Sequence, residues 1–198
     1  MPDEPTRPVA RLVLGLGNPG AQYDGTRHNV GFVVLERLAA RVGAGGFLKR
    51  GRSLVARGES GGLPCLLAKP QTFMNRSGRA ARELLSDLDG PAELMVVCDD
   101  FHLPLGRLRC RRAGSDGGQL GLASVIGVMA PDEVPRLRLG IGDPGGMPAE
   151  DYVLQPFGHG ELREVEDMVD RAATALEAWL AHGDLDRLIA EANASPEG

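Results

Sequence analysis

Two hydrophobic patterns alternate along this chain, one typical of buried strands and the other of amphipathic helices. Short apolar runs, each of a length that suits a buried strand, lie at residues 12–14, 94–98 and 136–141. Apolar positions recur at helical spacing in residues 30–38, 77–88 and 162–180. The glycines within 58–62 separate two further runs, 53–57 and 64–68, and predict a β-hairpin. Strands that alternate with helices, together with this hairpin, predict an α/β fold whose mixed sheet is covered on both faces.

Polar and glycine-rich segments predict three further features. Four arginines that fall within six residues predict an exposed edge strand: Arg107, Arg109, Arg111 and Arg112. The glycine-rich segment 114–121 predicts a flexible loop that opens a helix through Val128, and its backbone N–H groups could cradle an anion. Asp184 is the predicted N-cap of a final short helix.

Length and composition predict one globular domain. A chain of 198 residues can bury one core, and 42% apolar with 25% charged residues lies well outside the disordered range. We expect loose tails at about 1–10 and 194–198. No apolar run approaches the ~20 residues of a membrane span, and the N-terminus lacks the apolar core of a signal peptide. The three cysteines, Cys65, Cys98 and Cys110, lack metal-type spacing and are predicted to be buried free thiols in a reducing cytoplasm.

The net charge of −5 argues at first against a nucleic-acid partner. The charge is distributed unevenly, however, because residues 143–170 contain eight acids and one base. The rest of the chain therefore carries a slight positive excess, which is compatible with a local basic face. The arginine-rich segment is a candidate for that face, and a solvated strand edge is the alternative interpretation.

The most informative stretch is residues 12–32, LVLGLGNPGAQYDGTRHNVGF. A strand-like run passes through a glycine- and proline-rich turn into a helical pattern, with Thr26 as the predicted N-cap. This connection brings together Asn18, Tyr23, His28 and Asn29. Because α/β proteins bind ligands where strands pass into helices, we expect a functional site here.

A dinucleotide site is the first alternative, since Gly15, Gly17 and Gly20 satisfy the pattern G-x-G-x-x-G. In that fold a helix opens at the third glycine, and an acidic residue about 20 positions on ends a second strand. Here residues 21–27 are polar and aperiodic, and the nearest acid, Glu36, lies inside the helical period. The surroundings therefore disfavour a nicotinamide cofactor.

Two more strand ends carry polar chemistry. One apolar strand leads into KPQTFMNRSG, which places Met74 and Asn75 at a second strand-to-helix junction. Another strand ends in Asp99 and Asp100, and acids that close a buried strand are costly unless they are exposed or paired.

Taken together, these motifs resemble those of bacterial-type peptidyl-tRNA hydrolases. GLGNPG, TRHNVGF, KPQTFMNRSG, VVCDD, GSDGGQLGL and RLRLGIGDPG occur in the family's order and rough spacing, from about residue 12 to 188. The resemblance implies a three-layer α/β/α sandwich with a twisted mixed sheet. It also implies a monomeric cytoplasmic enzyme, without metal or cofactor, that cleaves the ester joining a peptide to the 3′ ribose of tRNA.

The resemblance also implies roles for single residues. His28 would be the general base, because imidazole suits proton transfer near neutral pH, and Asp99 would orient it. Asn18 and Asn75 match the substrate-holding asparagines, and an amide there could stabilise an oxyanion. The remaining matches are substrate-cleft and tRNA-phosphate positions: Tyr23, Met74, Arg111 and Arg138.

The chain departs from the family pattern in the loop GSDGGQLGL. Gln119 and Leu120 stand where the family usually has histidine and asparagine. Leucine offers no hydrogen bond, so one polar contact of the site is missing, and Gln119 could take over part of that role. A non-catalytic RNA-binding relative of the same fold is therefore the second hypothesis.

Overall fold

The computed structural model describes residues 10–88, 90, 92–129 and 134–194. The predicted tails lie outside these residues, apart from Ala10 and Ala194. Within the described part, seven strands form one sheet in the order β2-β3-β4-β1-β5-β7-β6. Their bounds are β1 Arg11–Gly15, β2 Leu48–Arg50, β3 Ser53–Ser60, β4 Leu63–Pro70, β5 Glu93–Asp100, β6 Leu108–Arg111 and β7 Arg136–Gly140.

The sheet is mixed, as the sequence predicts. Strand β1 lies between β4 and β5 and is parallel to both, and β5 is parallel to β7. The predicted hairpin of β3 and β4 is confirmed, and the short β2 extends it. The arginine-rich strand β6 pairs only with β7 and is an edge strand, which confirms that prediction as well.

Helices cover both faces of the sheet. Their bounds are α1 Val30–Arg41, α2 Ser77–Ser86, α3 Leu120–Ile126, α4 Ala149–Tyr152, α5 Leu162–His182 and α6 Leu185–Asn193. Alternate strand residues point to opposite sides, so Val13 joins a core with α1, α5 and α6, whereas Leu12 and Leu14 join a core with α2 and α3. None of the helices in the described ranges combines the length and apolar character that a bilayer crossing requires.

The structure confirms two local predictions and corrects one. Asp184 caps α6, because its Oδ1 accepts a hydrogen bond from the Arg187 backbone N–H at 2.9 Å. All three cysteines are buried and free, and burial raises the pKa of the Cys65 thiol to about 11. The capping role predicted for Thr26 is wrong: its hydroxyl donates to the Tyr23 carbonyl instead, and a 3₁₀ turn, Arg27–Asn29, precedes α1.

Candidate active site

A cleft of about 440 Å³ opens where β1 and β5 end at their carboxyl edge. Its lining comes from the three strand ends identified in the sequence, from the glycine-rich loop before α3, and from α4 with the segment that follows it. The lining residues used below are Asn18, His28, Met74, Asn75, Asp99, Gln119, Leu120 and Val153.

Helix α1 begins unusually close to the sheet, and this approach positions the residues just before it. A Cβ atom on Gly31 would lie 2.6 Å from the Leu16 carbonyl oxygen and 2.8 Å from that of Val97. Such distances are shorter than any real Cβ contact, so only glycine permits this packing. The 3₁₀ turn that carries His28 is thereby held against the end of β5.

His28 and Asp99 form a close pair in the cleft. The His28 Nδ1 atom lies 2.9 Å from each carboxylate oxygen of Asp99. The His28 side chain is 12% exposed and that of Asp99 only 2%, so the histidine is the member that solvent can reach. With Asp99 accepting the Nδ1 proton, the lone pair of a neutral imidazole lies on Nε2. This arrangement can act as a general base toward a water molecule.

Asn18 connects the first two junctions. Its backbone N–H donates to Asn29 Oδ1 at 2.8 Å, and Asn29 Nδ2 donates back to the Asn18 carbonyl at 3.0 Å. The Asn18 Oδ1 atom accepts from the Met74 backbone N–H at 2.9 Å. The amide of Asn18 is therefore oriented by its oxygen, which leaves its Nδ2 protons as donors for a ligand in the cleft.

The other predicted cleft residues differ in their placement. Met74 is buried and Asn75 is exposed, and both line the cleft. Tyr23 lies on the 3₁₀ turn Ala21–Tyr23 and is not among the lining residues. The structure thus brings His28, Asp99, Asn18, Met74 and Asn75 together, but not Tyr23.

Gln119, which the sequence analysis named as able to take over part of a missing polar contact, is part of this site. Its Nε2 donates to Asp99 Oδ1 at 2.9 Å, while its Oε1 accepts from the Leu122 backbone N–H at 2.7 Å and so caps α3. The side chain is buried and joins the loop before α3 to the carboxylate of Asp99. Its replacement of a histidine in the family motif was the one sequence signal. The neighbouring Leu120 is 61% exposed beside the same cleft.

Arg111 and Arg138 lie together beside the cleft rather than in it. With Arg109 and Arg136 they line a separate cavity of about 60 Å³. Arg138 donates to Asp100 Oδ2 at 2.8 Å and to the Ser115 carbonyl at 2.8 Å, whereas Arg111 is exposed.

Arg136 forms the buried base of this arginine group. Its Nη1 donates to the Gly114 carbonyl at 2.8 Å, and its Nη2 has no hydrogen-bond partner among the described residues. Burial, and then the nearby charge of Arg138, lower the pKa of Arg136. Two guanidinium groups held this close together favour an anion in the adjoining cavity.

Arg27, a buried cation that the sequence analysis missed, supports the wall of the cleft that the segment after α4 forms. Arg27 donates to both carboxylate oxygens of Glu161, at 3.1 and 2.7 Å, and lies over the rings of Tyr152 and Phe157. The hydrogen bonds from Arg27 lower the pKa of Glu161. Beside this network, the His28 backbone N–H donates to the Val153 carbonyl at 2.8 Å. No local pattern marks such a pair, because 134 positions separate its members.

The geometry rejects the dinucleotide alternative. A 3₁₀ turn follows Gly20, and α1 begins only at Val30. Glu36 lies within α1 and pairs with Lys69 at 2.8 Å, so it does not end a strand. Within the described ranges, no group of three or more histidine, cysteine or acidic side chains could hold a metal ion.

Comparisons with known proteins agree with the geometry. The family model described as peptidyl-tRNA hydrolase matches residues 12–197. The peptidyl-tRNA hydrolase of Carboxydothermus hydrogenoformans is 44% identical over 173 residues, which are 87% of this chain and 92% of the relative. That of Lactiplantibacillus plantarum is 39% identical over 184 residues, 92% of this chain and 100% of the relative. The crystal structure of the Acinetobacter baumannii peptidyl-tRNA hydrolase is similar with a TM-score of 0.86 at 29% identity, covering 93% of this chain and 95% of that one.

Proposed function

Because the chain belongs to the peptidyl-tRNA hydrolase family, we propose that it hydrolyses the ester between a peptide and the 3′ ribose of tRNA, with His28 as the general base. The observation that carries this proposal is the pairing of His28 Nδ1 with both oxygens of the buried Asp99, in a cleft lined by two asparagines.

In the proposed reaction, His28 Nε2 takes a proton from a water molecule as the water oxygen attacks the ester carbonyl. The tetrahedral intermediate then collapses and breaks the bond to the ribose 3′ oxygen. The imidazolium returns its proton to that oxygen, so the products are a free peptide carboxylic acid and tRNA. Asp99 stabilises the transient imidazolium, and positioned general-base help is typically worth roughly 10²–10⁴-fold in rate.

The two asparagines supply donors where negative charge develops. The Nδ2 protons of Asn18 are free while its oxygen is held by Met74, and Asn75 presents an exposed amide on the same cleft. Either could stabilise the oxyanion or bind a peptide carbonyl. Gln119 acts indirectly in this scheme, because its hydrogen bond to Asp99 Oδ1 holds the carboxylate that orients His28.

The tRNA body would be bound outside the cleft. We assign phosphate contact to Arg111, which is exposed, and to Arg138, whose guanidinium is already oriented by Asp100. The matched cleft residue Tyr23 stays a prediction. We propose further that the protein acts as a monomer in the cytoplasm, where three free buried thiols would persist; light scattering after gel filtration would test the monomer.

The deciding experiment measures release of N-acetyl-aminoacyl groups from tRNA. We expect the wild type to hydrolyse this substrate and His28→Ala to lose at least a hundredfold in kcat. His182→Ala is a matched control, because His182 is exposed at the end of α5. Undiminished hydrolysis by His28→Ala would reject the mechanism. The non-catalytic alternative predicts instead that the wild type binds tRNA without hydrolysing it and gains activity through Leu120→Asn.

A further inference from the structure

The outer surface of α2 and the neighbouring turn between β2 and β3 carry a concentration of positive charge. The acids in this region are Glu83 and Asp87. The cations, which we call the α2 basic face, are Arg50, Arg52, Arg76, Arg79 and Arg82. This positive excess lies on a protein whose net charge is −5.

Most of these cations have no ionic partner in the described part of the chain. Arg52 pairs with Glu83, and Arg50 donates to the Asp87 carbonyl at 2.9 Å. No ion pair in the described ranges involves the others, Arg76, Arg79 and Arg82. Arg76, Arg79 and Arg82 follow one another at intervals of three, and like charges at this spacing on a helix repel one another. The described part of the chain therefore leaves these three guanidinium groups repelling one another, and a negatively charged partner would relieve that repulsion.

The opposite layer carries the opposite charge. Helix α5 has two arginines, Arg163 and Arg171, against five acids: Glu164, Glu166, Asp167, Asp170 and Glu177. A protein charged in this way presents its α2 side to a polyanion and keeps its α5 side away from it.

The α2 basic face and the arginine group near Arg111 lie on the same side of the sheet. Arg136 and Arg138 are in register with Val96 and Cys98, which belong to the core beneath α2 and α3. The cleft lies between the two groups, because β1 and β5 are central while β2 and β6 are the edges. Six strand spacings of about 4.8 Å separate those edges, so Arg50 and Arg52 beside β2 lie on the order of 25–30 Å from the arginine group on β6. Only a macromolecular ligand can reach both.

We propose that the α2 basic face binds backbone phosphates of the tRNA body, on the opposite side of the cleft from Arg111 and Arg138. This inference rests on the proposed function and names a second contact surface for the same substrate. Arg76 follows the cleft residue Asn75 directly, and α2 carries the positive charge away from the cleft over about 15 Å.

The helix does not have the character of a membrane-binding element. Such a helix inserts an exposed apolar face between lipids, but the apolar residues of α2, including Ala80, Ala81 and Leu84, are buried against the sheet. Its exposed positions include Arg79, Arg82 and Ser86. A polar, cationic surface of this kind suits a phosphate backbone in water.

The test removes two charges without disturbing the cleft. Arg79→Gln/Arg82→Gln changes exposed residues to another good helix former. Arg163→Gln/Arg187→Gln is the matched control, since it lowers the net charge equally on the opposite layer. The readouts are KM and kcat on N-acetyl-aminoacyl-tRNA, Kd for deacylated tRNA at several salt concentrations, and hydrolysis of an N-acetyl-aminoacyl ester of adenosine.

We expect the α2 variant to raise both KM and Kd for tRNA about tenfold, with kcat and the adenosine ester unaffected. The slope of log Kd against log salt should become shallower by about 1 to 2, because each phosphate contact contributes roughly 0.7–0.9. The control should change Kd by less than twofold. Equal effects of the two variants, or an unchanged Kd, would overturn the proposal. So would a loss of binding to phosphatidylserine vesicles with tRNA affinity intact, which would assign the face to a membrane. Absence of hydrolysis by the wild type would reject the proposed function alone, since tRNA binding is measured separately.

Discussion

Replacing Gln119 by glutamate separates two hydrogen bonds of this side chain, the one to Asp99 and the one from the α3 backbone. In Gln119→Glu a carboxylate oxygen can still accept from the Leu122 N–H and cap α3. The donor to Asp99 Oδ1, now 2.9 Å away, is replaced by a second negatively charged oxygen. The substitution therefore keeps the cap and reverses the interaction with the carboxylate that pairs with His28.

The expected size of the effect follows from that distance and from burial. Two unit charges ~3 Å apart repel by about 5 kcal/mol at an effective dielectric constant near 20. Movement of the side chains relieves part of this repulsion, and uptake of a proton by the cluster of the new carboxylate, Asp99 and His28 relieves the rest. A protonated imidazole cannot act as the base. We therefore expect kcat/KM to fall about tenfold on the acid side of the pH profile, near pH 5, which corresponds to about 1.4 kcal/mol, and to fall by less at pH 7.

The assay is the pH dependence of kcat/KM on N-acetyl-aminoacyl-tRNA between pH 5 and 9. Its acid limb should move to higher pH by about one unit in Gln119→Glu, so that most activity returns at pH 9. Gln119→Met is the matched control, because it removes the hydrogen bonds of the Gln119 side chain without adding charge. It should lose about 1 kcal/mol of stability with the cap and leave the acid limb in place.

One result would refute this reasoning. If Gln119→Glu melts like the wild type and its pH profile overlays that of the wild type, the contact with Asp99 does not influence the base. If kcat/KM of Gln119→Glu is lowered by the same factor at every pH, Gln119 has a packing role only.

Two further predictions concern the framework around the site. Gly31→Ala should lower the free energy of unfolding, measured by urea denaturation, by about 1–3 kcal/mol, because the added methyl group would overlap the carbonyls of Leu16 and Val97. The kcat of this variant should fall as well. An unchanged kcat would contradict the positioning role of α1. Glu161→Gln should cost about 1 kcal/mol at pH 7, since Arg27 loses a charged partner. The pKa of Glu161 is lowered in the folded state, so this difference should be full above the ordinary value of 4.5 and shrink as the pH falls below it toward the folded pKa. A difference that stays constant as the pH falls below 4.5 would disprove the linkage.

Much of the fold follows from local sequence. The apolar runs and helical periods predict β1, β5, β7, α1, α2 and α5, because burial of one face imposes these spacings. Strand β2 and helix α4 escaped prediction, since three and four residues are too few to show a period. The cap predicted at Thr26 failed because the 3₁₀ turn there is held by tertiary contacts, including the His28 hydrogen bond to Val153.

Motif order in the sequence was enough to select His28, Asp99, Asn18 and Asn75 as candidates. It could not reveal that Gln119 holds Asp99, because a glutamine after two glycines has no distinctive pattern. Nor could it reveal that Arg138 is engaged by Asp100, which leaves the exposed Arg111 as the freer of the two guanidinium groups.

The amino-acid sequence alone determined which residue types stand at the ends of the strands and which faces of the helices are apolar. Only the tertiary structure decided which atoms meet: Nδ1 of His28 with Asp99, and the guanidinium of Arg27 with Glu161. The physical reason is chain separation. These partners lie 71 and 134 positions apart, so their contact depends on the parallel register of the central strands and on the close approach of α1 at Gly31.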